Sequence, residues 1–284
     1  MENWEDLRHF AALARDKSLS AAARRLAVDH ATVARRVAAL EESLGLKLVD
    51  RRPRAYVLTA DGERIAALAA QMEEQAHAVG RAARASQAGI GATVSISAPP
   101  TLANTLIAPR LGRLRDRYPG ILIRLIGEKR SASLSRREAD VAIRLMRPTG
   151  NSLVARRIGS FTFGLYAAPA YVAAHAPAGY GFIAYDESME DLPQQQWLKA
   201  VAGKRPIIVR INDLEGMRLA ARAGVGAAAL PTYMAAGDSA LCHLPTAQKQ
   251  VVRDVWMVVH RDLRRAPAVR VVMEFLVDCF AASA

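Results

Sequence analysis

The residues best placed for chemistry in this chain are arginines set among small side chains. The chemistry they suit is recognition of a polyanion, not bond-making. The densest case lies at residues 29–44, DHATVARRVAALEESL. At about 100° per residue, Val33, Val37, Leu40 and Leu44 fall in one narrow stripe that must face a core, and the opposite side carries Ala31, Thr32, Ala34, Arg35, Ala38 and Ala39. A solvated helix face usually mixes Glu, Lys and Gln. A face of alanines lets a helix sink close to another surface, and an arginine near its centre can fork onto guanine or a phosphate. Asp29 stands where an N-cap belongs, so His30, Ala31 and Thr32 make the first turn, the part of a recognition helix that meets base edges. Ser20 and Arg36 complete the helical set of candidate DNA contacts. A second basic group, Arg51, Arg52 and Arg54, sits in the segment 50–54. Taken alone, these patterns also fit an ordinary three-helix bundle with an Ala-rich face and a solvated charged hairpin.

Enzyme chemistry finds no footing. There is no G-x-S-x-G, no P-loop, and no metal spacing among His9, His30, His77, His175, His243 and His260. Gly224-Val225-Gly226-Ala227-Ala228-Ala229 imitates a dinucleotide motif but follows a helical pattern instead of a strand, so it reads as a helix end. No catalytic residue, metal or cofactor is expected.

The elements that must hold these groups are readable around them. Trp4, Leu7, Phe10, Ala11 and Ala14 recur at helical spacing. Ser18 or Ser20 can cap a short helix, and residues 27–29 make a turn with Val28 expected to point inward. Segments 46–49 and 56–58 read as two short strands carrying the basic loop between them, a wing placed to touch phosphates or a minor groove. From Thr59 a helix starts with Asp61 and Glu63 in its first turn. Ile65, Ala69, Met72, Ala76, Val79 and Ala83 then recur with a heptad rhythm. Such a stripe docks on its own domain or pairs with a second copy, and its alternation of large and small residues favours a homodimer through residues 59–88. Residues 86–91 read as a hinge.

The stretch LRHFAALARDKSLSAAARRLAVDHATVARRVAALEESLGLKLVDRRPRAYVLTADGERI resembles the N-terminal domain of LysR-type transcriptional regulators nearly without gaps. The resemblance implies a winged helix-turn-helix, double-stranded DNA as partner, assembly as dimers or tetramers, and response to a small effector, with RNA polymerase a further candidate partner. Residues 29–32 depart from the family's usual Ser-Gln-(Ser/Pro)-Ala. His30 stands in place of the base-reading glutamine, so the preferred base sequence is expected to differ, while Arg35 is kept.

From residue 92 the pattern changes to short apolar strands alternating with helices. Strands are expected at 94–98, 121–126, 140–144, 161–167, 182–185, 206–211, 226–230 and 255–259. Helices are expected at 101–118, 131–138, 169–175, around Trp197, at 213–223, from Thr232, and at 266–281. This is an α/β architecture with mostly parallel sheets in two lobes around a cleft. GATVSISAPPTLANTLIAPRLGRLRDRYPGILIRLI, ADVAIR and AGVGAAALPTYMA resemble the effector-binding part of the same family, itself similar to type 2 periplasmic binding proteins. The resemblance places an effector between the lobes. Strand ends and helix starts supply its candidate contacts: Pro100 and Thr101, Arg144, and Asn212 as a helix cap. Helix N-termini with an arginine favour a small carboxylate. The organisation expected is therefore a DNA-binding domain at 1–58, a linker helix and hinge at 59–91, and a regulatory domain at 92–284.

Bulk composition agrees without adding detail. The 284 residues are 51% hydrophobic and carry a formal net charge of +12. Residues 92–284 hold 25 Lys and Arg against 15 Asp and Glu, so most of the excess lies outside the DNA-reading part, and the DNA reading rests on where the arginines sit. No apolar run is long enough to span a membrane and the N-terminus has no signal-peptide pattern, so a cytoplasmic protein is expected. Cys242 and Cys279 are far apart and are expected to be reduced. An architectural DNA binder without an effector is the alternative. A solute receptor fused to an interaction module is disfavoured by the missing export signal.

Overall fold

The computed structural model describes residues 3–52, 55–87, 92–128, 139–148 and 153–281. They form two compact units, Met1–Arg84 and Ala85–Ala284.

In the first unit three helices pack on one another: α1 (Trp4–Asp16), α2 (Leu19–Leu26) and α3 (His30–Leu44). Each begins at a side-chain cap, Asn3, Ser18 and Asp29 in turn, so Ser18 and not Ser20 starts the second helix. The stripe of α3 does what its spacing predicts, with Val33, Val37 and Leu40 buried against Phe10, Leu13 and Leu48. Val28 departs from expectation. It is 37% exposed, because Ala27 ends α2 in the left-handed region (φ 55°) and the Val28 N–H closes on the Ala23 carbonyl at 3.1 Å. Ala22 and Ala23 fill the core there instead.

Strands β1 (Val49–Arg52) and β2 (Ala55–Leu58) form an antiparallel pair with Val49 opposite Leu58 and Arg52 opposite Ala55. The first strand starts three residues later than predicted. The buried carboxylate of Glu41 accepts the N–H groups of Leu48 and Val49 at 2.8 and 3.1 Å, so that segment hydrogen-bonds to the helix before it enters the hairpin. Arg51 and Arg52 therefore continue a strand instead of forming a loop.

Helix α4 (Ala60–Gln87) follows directly. The Thr59 hydroxyl accepts from the Gly62 N–H at 2.9 Å and donates to the Lys47 carbonyl at 2.6 Å, tying the helix start to the strand approach. The heptad stripe divides. Ile65 packs on the three-helix core and Ala69 is buried, whereas Met72 and Val79 are exposed together with Leu68. Arg15 of α1 and Glu73 of α4 form an ion pair at 3.0 Å that holds the helix on its own domain.

The second unit begins with β3 (Thr93–Ala98). The single helix expected over 101–118 is broken into α5 (Pro100–Leu102), a π turn (Ala103–Ile107), a 3-10 turn (Ala108–Arg110) and α6 (Leu111–Arg117). Pro109 has no N–H for the ladder, and the wide turn ahead of it absorbs the mismatch. Strands β4 (Leu122–Gly127) and β5 (Val141–Arg144) flank β3 in parallel. The helix expected at 131–138 lies outside the described residues. Then come β6 (Leu153–Ala167), α7 (Pro169–Ala174), β7 (Phe182–Ala184), α8 (Pro193–Ala202), β8 (Ile207–Arg210), α9 (Leu214–Arg222), β9 (Ala227–Pro231), α10 (Thr232–Ala235), β10 (Cys242–Leu244), β11 (Val252–His260) and α11 (Pro267–Ala281).

The strand order is β4-β3-β5-β11-β6-β9-β7-β8, with β10 beside β6. Parallel pairing holds within each lobe, in β3–β4, β3–β5, β7–β8 and β7–β9. The expectation of mostly parallel sheets fails at the middle. There β6 pairs antiparallel with β11 over Leu153–Thr162 and with β9 over Phe163–Tyr166, so one 15-residue strand passes from lobe to lobe. The sequence signals only its buried second half, since Arg156, Arg157, Gly159 and Ser160 leave the half-exposed first half without an apolar run. Among the described residues no helix is long and apolar enough to cross a membrane.

Candidate nucleic-acid interface and ligand cavity

On the first unit, the start of α3 is built to be presented. The Asp29 carboxylate accepts from the Thr32 N–H at 2.6 Å and the Thr32 hydroxyl at 2.8 Å. These bonds hold its pKa below the ordinary carboxylate value, with the backbone bond the larger cause. With the cap locked, His30, Ala31, Arg35, Ala38 and Ala39 are all exposed and Thr32 is half-buried. Ser20 is exposed near the start of α2. The predicted set is thus brought onto the surface of the helix-turn-helix, with one reassignment. Arg36 donates to the Asp6 carboxylate at 3.1 Å and clamps α3 to α1, so its charge is engaged within the domain. On the wing, Arg51 and Arg52 have a place in β1 but their side chains lie outside the described ones, as does Arg54 altogether. Sequence reading missed Glu41. It sits at 6% exposure between helix and wing. Burial alone would raise its pKa, but the N–H groups of Leu48 and Val49 and the Lys47 ammonium bring it below the usual value.

The second unit contains a cavity of about 570 Å³ between its lobes. All four predicted effector residues, Pro100, Thr101, Arg144 and Asn212, line it. Their detailed roles differ from expectation. Asp213, not Asn212, caps α9, accepting from the N–H groups of Glu215 and Gly216 at 2.9 and 3.2 Å. Thr101 lies in a three-residue helix and its side chain hydrogen-bonds to Tyr233. Arg144 holds the Ser97 hydroxyl at 3.1–3.2 Å, and that hydroxyl donates to Glu128 at 3.0 Å. Phe161, Phe163, Tyr185 and Tyr233 make the walls largely apolar.

Sequence reading missed Arg253 and Gln194. Arg253 comes from β11 and is 7% exposed. It donates to the Gln194 side-chain oxygen at 2.8 Å and the Leu145 carbonyl at 3.3 Å. A signal was available: Arg253 alternates in phase with the buried Val255 and Met257. Among the described residues no group of three His, Cys, Asp or Glu is arranged to hold a metal.

Comparison with known proteins accords with this geometry. Residues 4–63 match the model of the bacterial regulatory helix-turn-helix protein, lysR family, and residues 87–281 match the LysR substrate binding domain. The chain is 29% identical to the Mau operon transcriptional activator of Paracoccus denitrificans over 98% of this chain and 97% of that protein. It is 32% identical to the AhcY transcriptional activator HvrB of Rhodobacter capsulatus, covering 78% and 76% of the two chains. Among solved structures, CrgA, a LysR-type transcriptional regulator from Neisseria meningitidis, aligns over 98% of this chain and 99% of its own, with a TM-score of 0.57 and 25% identity. With its two ends matching the two halves of one architecture, the chain belongs to the LysR-type transcriptional regulators, DNA-binding proteins with an effector-binding domain, and is not an enzyme.

Proposed function

We propose that two copies pair through the helix at residues 59–88 and that each lays residues 30–39 in a major groove of double-stranded DNA. The observation that carries this is the face of α3 behind the Asp29 cap, where His30, Ala31, Arg35, Ala38 and Ala39 are exposed and no acid stands among them. Arg35 takes a base or phosphate contact, His30 sets base preference, and Ala31, Thr32 and Ser20 shape the approach. Arg51, Arg52 and Arg54 on the wing reach phosphates or the minor groove. Arg36 supports the interface from behind through Asp6. The open stripe Leu68, Met72 and Val79 on α4 supports pairing with a second copy, which two regulatory domains could extend to a tetramer.

The same proposal places a small carboxylate effector in the cavity between the lobes, touching Pro100, Thr101, Arg144 and Asn212. Its binding alters how subunits pair, hence DNA bending and the encounter with RNA polymerase on DNA in the cytoplasm. The test is fluorescence anisotropy on DNA from upstream of the protein's own gene against scrambled DNA, across a salt series. A preference of about 10³-fold or more that survives salt supports the reading. Equal, steeply salt-sensitive binding to both, repeated on sequences selected from random DNA, refutes specificity and leaves an architectural binder.

A further inference from the structure

Among the described residues, Arg253 carries a charge with no carboxylate to pair it. It comes from the central strand β11, faces the cavity, and is 7% exposed. Its two hydrogen-bond acceptors, the Gln194 amide oxygen and the Leu145 carbonyl, are both neutral. Its neighbour Asp254 is bound to Arg157 at 2.6 Å. The two carboxylates that share the cavity are engaged elsewhere: Glu128 receives the Ser97 hydroxyl that Arg144 also holds, and Asp213 caps α9. Among the described residues no carboxylate lies within ion-pair distance of Arg253.

A guanidinium taken out of water without a counter-ion is destabilising. Burial draws its pKa below the usual value, yet a guanidinium stays charged at neutral pH. Five N–H donors in a planar fork match a carboxylate better than they match two separated carbonyl oxygens. Arg144 is different, since its charge is already coupled through Ser97 to Glu128. Phe161, Phe163 and Tyr233 wall the same cavity, and the Tyr185 hydroxyl bonds to the Gln194 side chain beside the guanidinium.

We propose that Arg253 is the anion receptor of the cavity, and that the ligand is a carboxylate on an apolar body, its head paired with Arg253 and its body against Phe161, Phe163 and Tyr233. This rests on the cavity being the effector site, and it names the group that selects the ligand. Gln194 is a positioning residue that holds the fork.

The experiment uses the full-length protein, with phenylacetate and hexanoate as probes and their uncharged amides as controls, read by thermal shift and calorimetric titration. The acids are expected to raise the melting temperature and the amides are not. Arg253→Met is expected to raise the melting temperature of the ligand-free protein, since it removes a buried charge, while weakening phenylacetate about thirtyfold or more. Arg144→Met should weaken it less. Arg253→Lys keeps a charge without the fork, should fold like the parent, and should fall between parent and Met. Phenylacetate binding unchanged in Arg253→Met or Arg253→Lys but lost in Arg144→Met overturns the inference and leaves a carboxylate effector standing. Amides binding as well as acids, with both lost in the cavity-narrowing variant Thr101→Trp, overturns the anion receptor and keeps the cavity as the effector site. No shift with either acid at saturating concentration overturns the carboxylate assignment itself.

Discussion

Four single residues, Arg35, His30, Glu41 and Ala27, carry consequences that can be measured. Arg35 is the exposed cation at the middle of the alanine face of α3. Arg35→Ala is expected to weaken operator binding by about 1–3 kcal/mol in anisotropy titrations at fixed salt. His30→Ala should instead change the preferred base more than the overall affinity, and a selected consensus identical to the parent's would remove His30 from base reading. Glu41 is a structural counterpart, binding two backbone N–H groups of the wing approach from a buried position. Glu41→Ala leaves both donors unpaired and is expected to cost about 1–3 kcal/mol in urea unfolding. Because its folded pKa is depressed, the ionised Glu41 contributes its full stability above the ordinary carboxylate range. That contribution is lost as pH falls through the depressed folded value. Glu41→Gln keeps an acceptor but should flatten this part of the pH–stability curve. Ala27 shows the reverse case, a residue with a Cβ at φ 55° where glycine is at ease, so Ala27→Gly is expected to stabilise the domain by up to about 1 kcal/mol.

At the level of elements, the linker helix starts in close contact with the segment that leads into the wing. A Cβ on Gly62 would lie 2.0 Å from the Leu48 carbonyl oxygen, backbone that cannot rotate away. Gly62→Ala is therefore expected to cost about 1–3 kcal/mol by overpacking, seen as a lowered urea midpoint, and to shift α4 against the hairpin. Further along α4, Met72 and Val79 are exposed at 48% and 72% although they continue the stripe that buries Ala69. The double variant Met72→Glu, Val79→Glu should leave the fold intact and shift sedimentation from dimer to monomer. An unchanged dimer would move the subunit contact elsewhere. How far the elements were legible follows from the same residues. The caps Asp29 and Thr59 and the stripe Val33–Val37–Leu40 are local signals, and the structure honours each. The start of β1 is not a local signal, because the carboxylate that takes the N–H groups of Leu48, ahead of the strand, and Val49, its first residue, belongs to Glu41, seven and eight residues away.

For the whole molecule, a dimer reading two half-sites should protect DNA at whole-turn spacings of roughly 10 base pairs or multiples. A nuclease footprint with an effector present should differ in the central hypersensitive positions from one without it, as expected if closure around a cavity changes subunit pairing. The sequence by itself determined the two-part organisation, the helix-turn-helix with its exposed arginine, and the alternating strands and helices of the regulatory unit. All of these are written in periods of two to seven residues and in capping side chains. It also placed Pro100, Thr101, Arg144 and Asn212 at strand ends that converge on one cavity. Only the tertiary structure decided that Arg253 joins them, with no acid among the described residues at ion-pair distance. Arg253 reaches the Leu145 carbonyl across 108 residues, because β11 inserts between β5 and β6. Strand neighbours are chosen by the closure of long loops and by the packing of complete faces, and no local period records which strand will lie beside which.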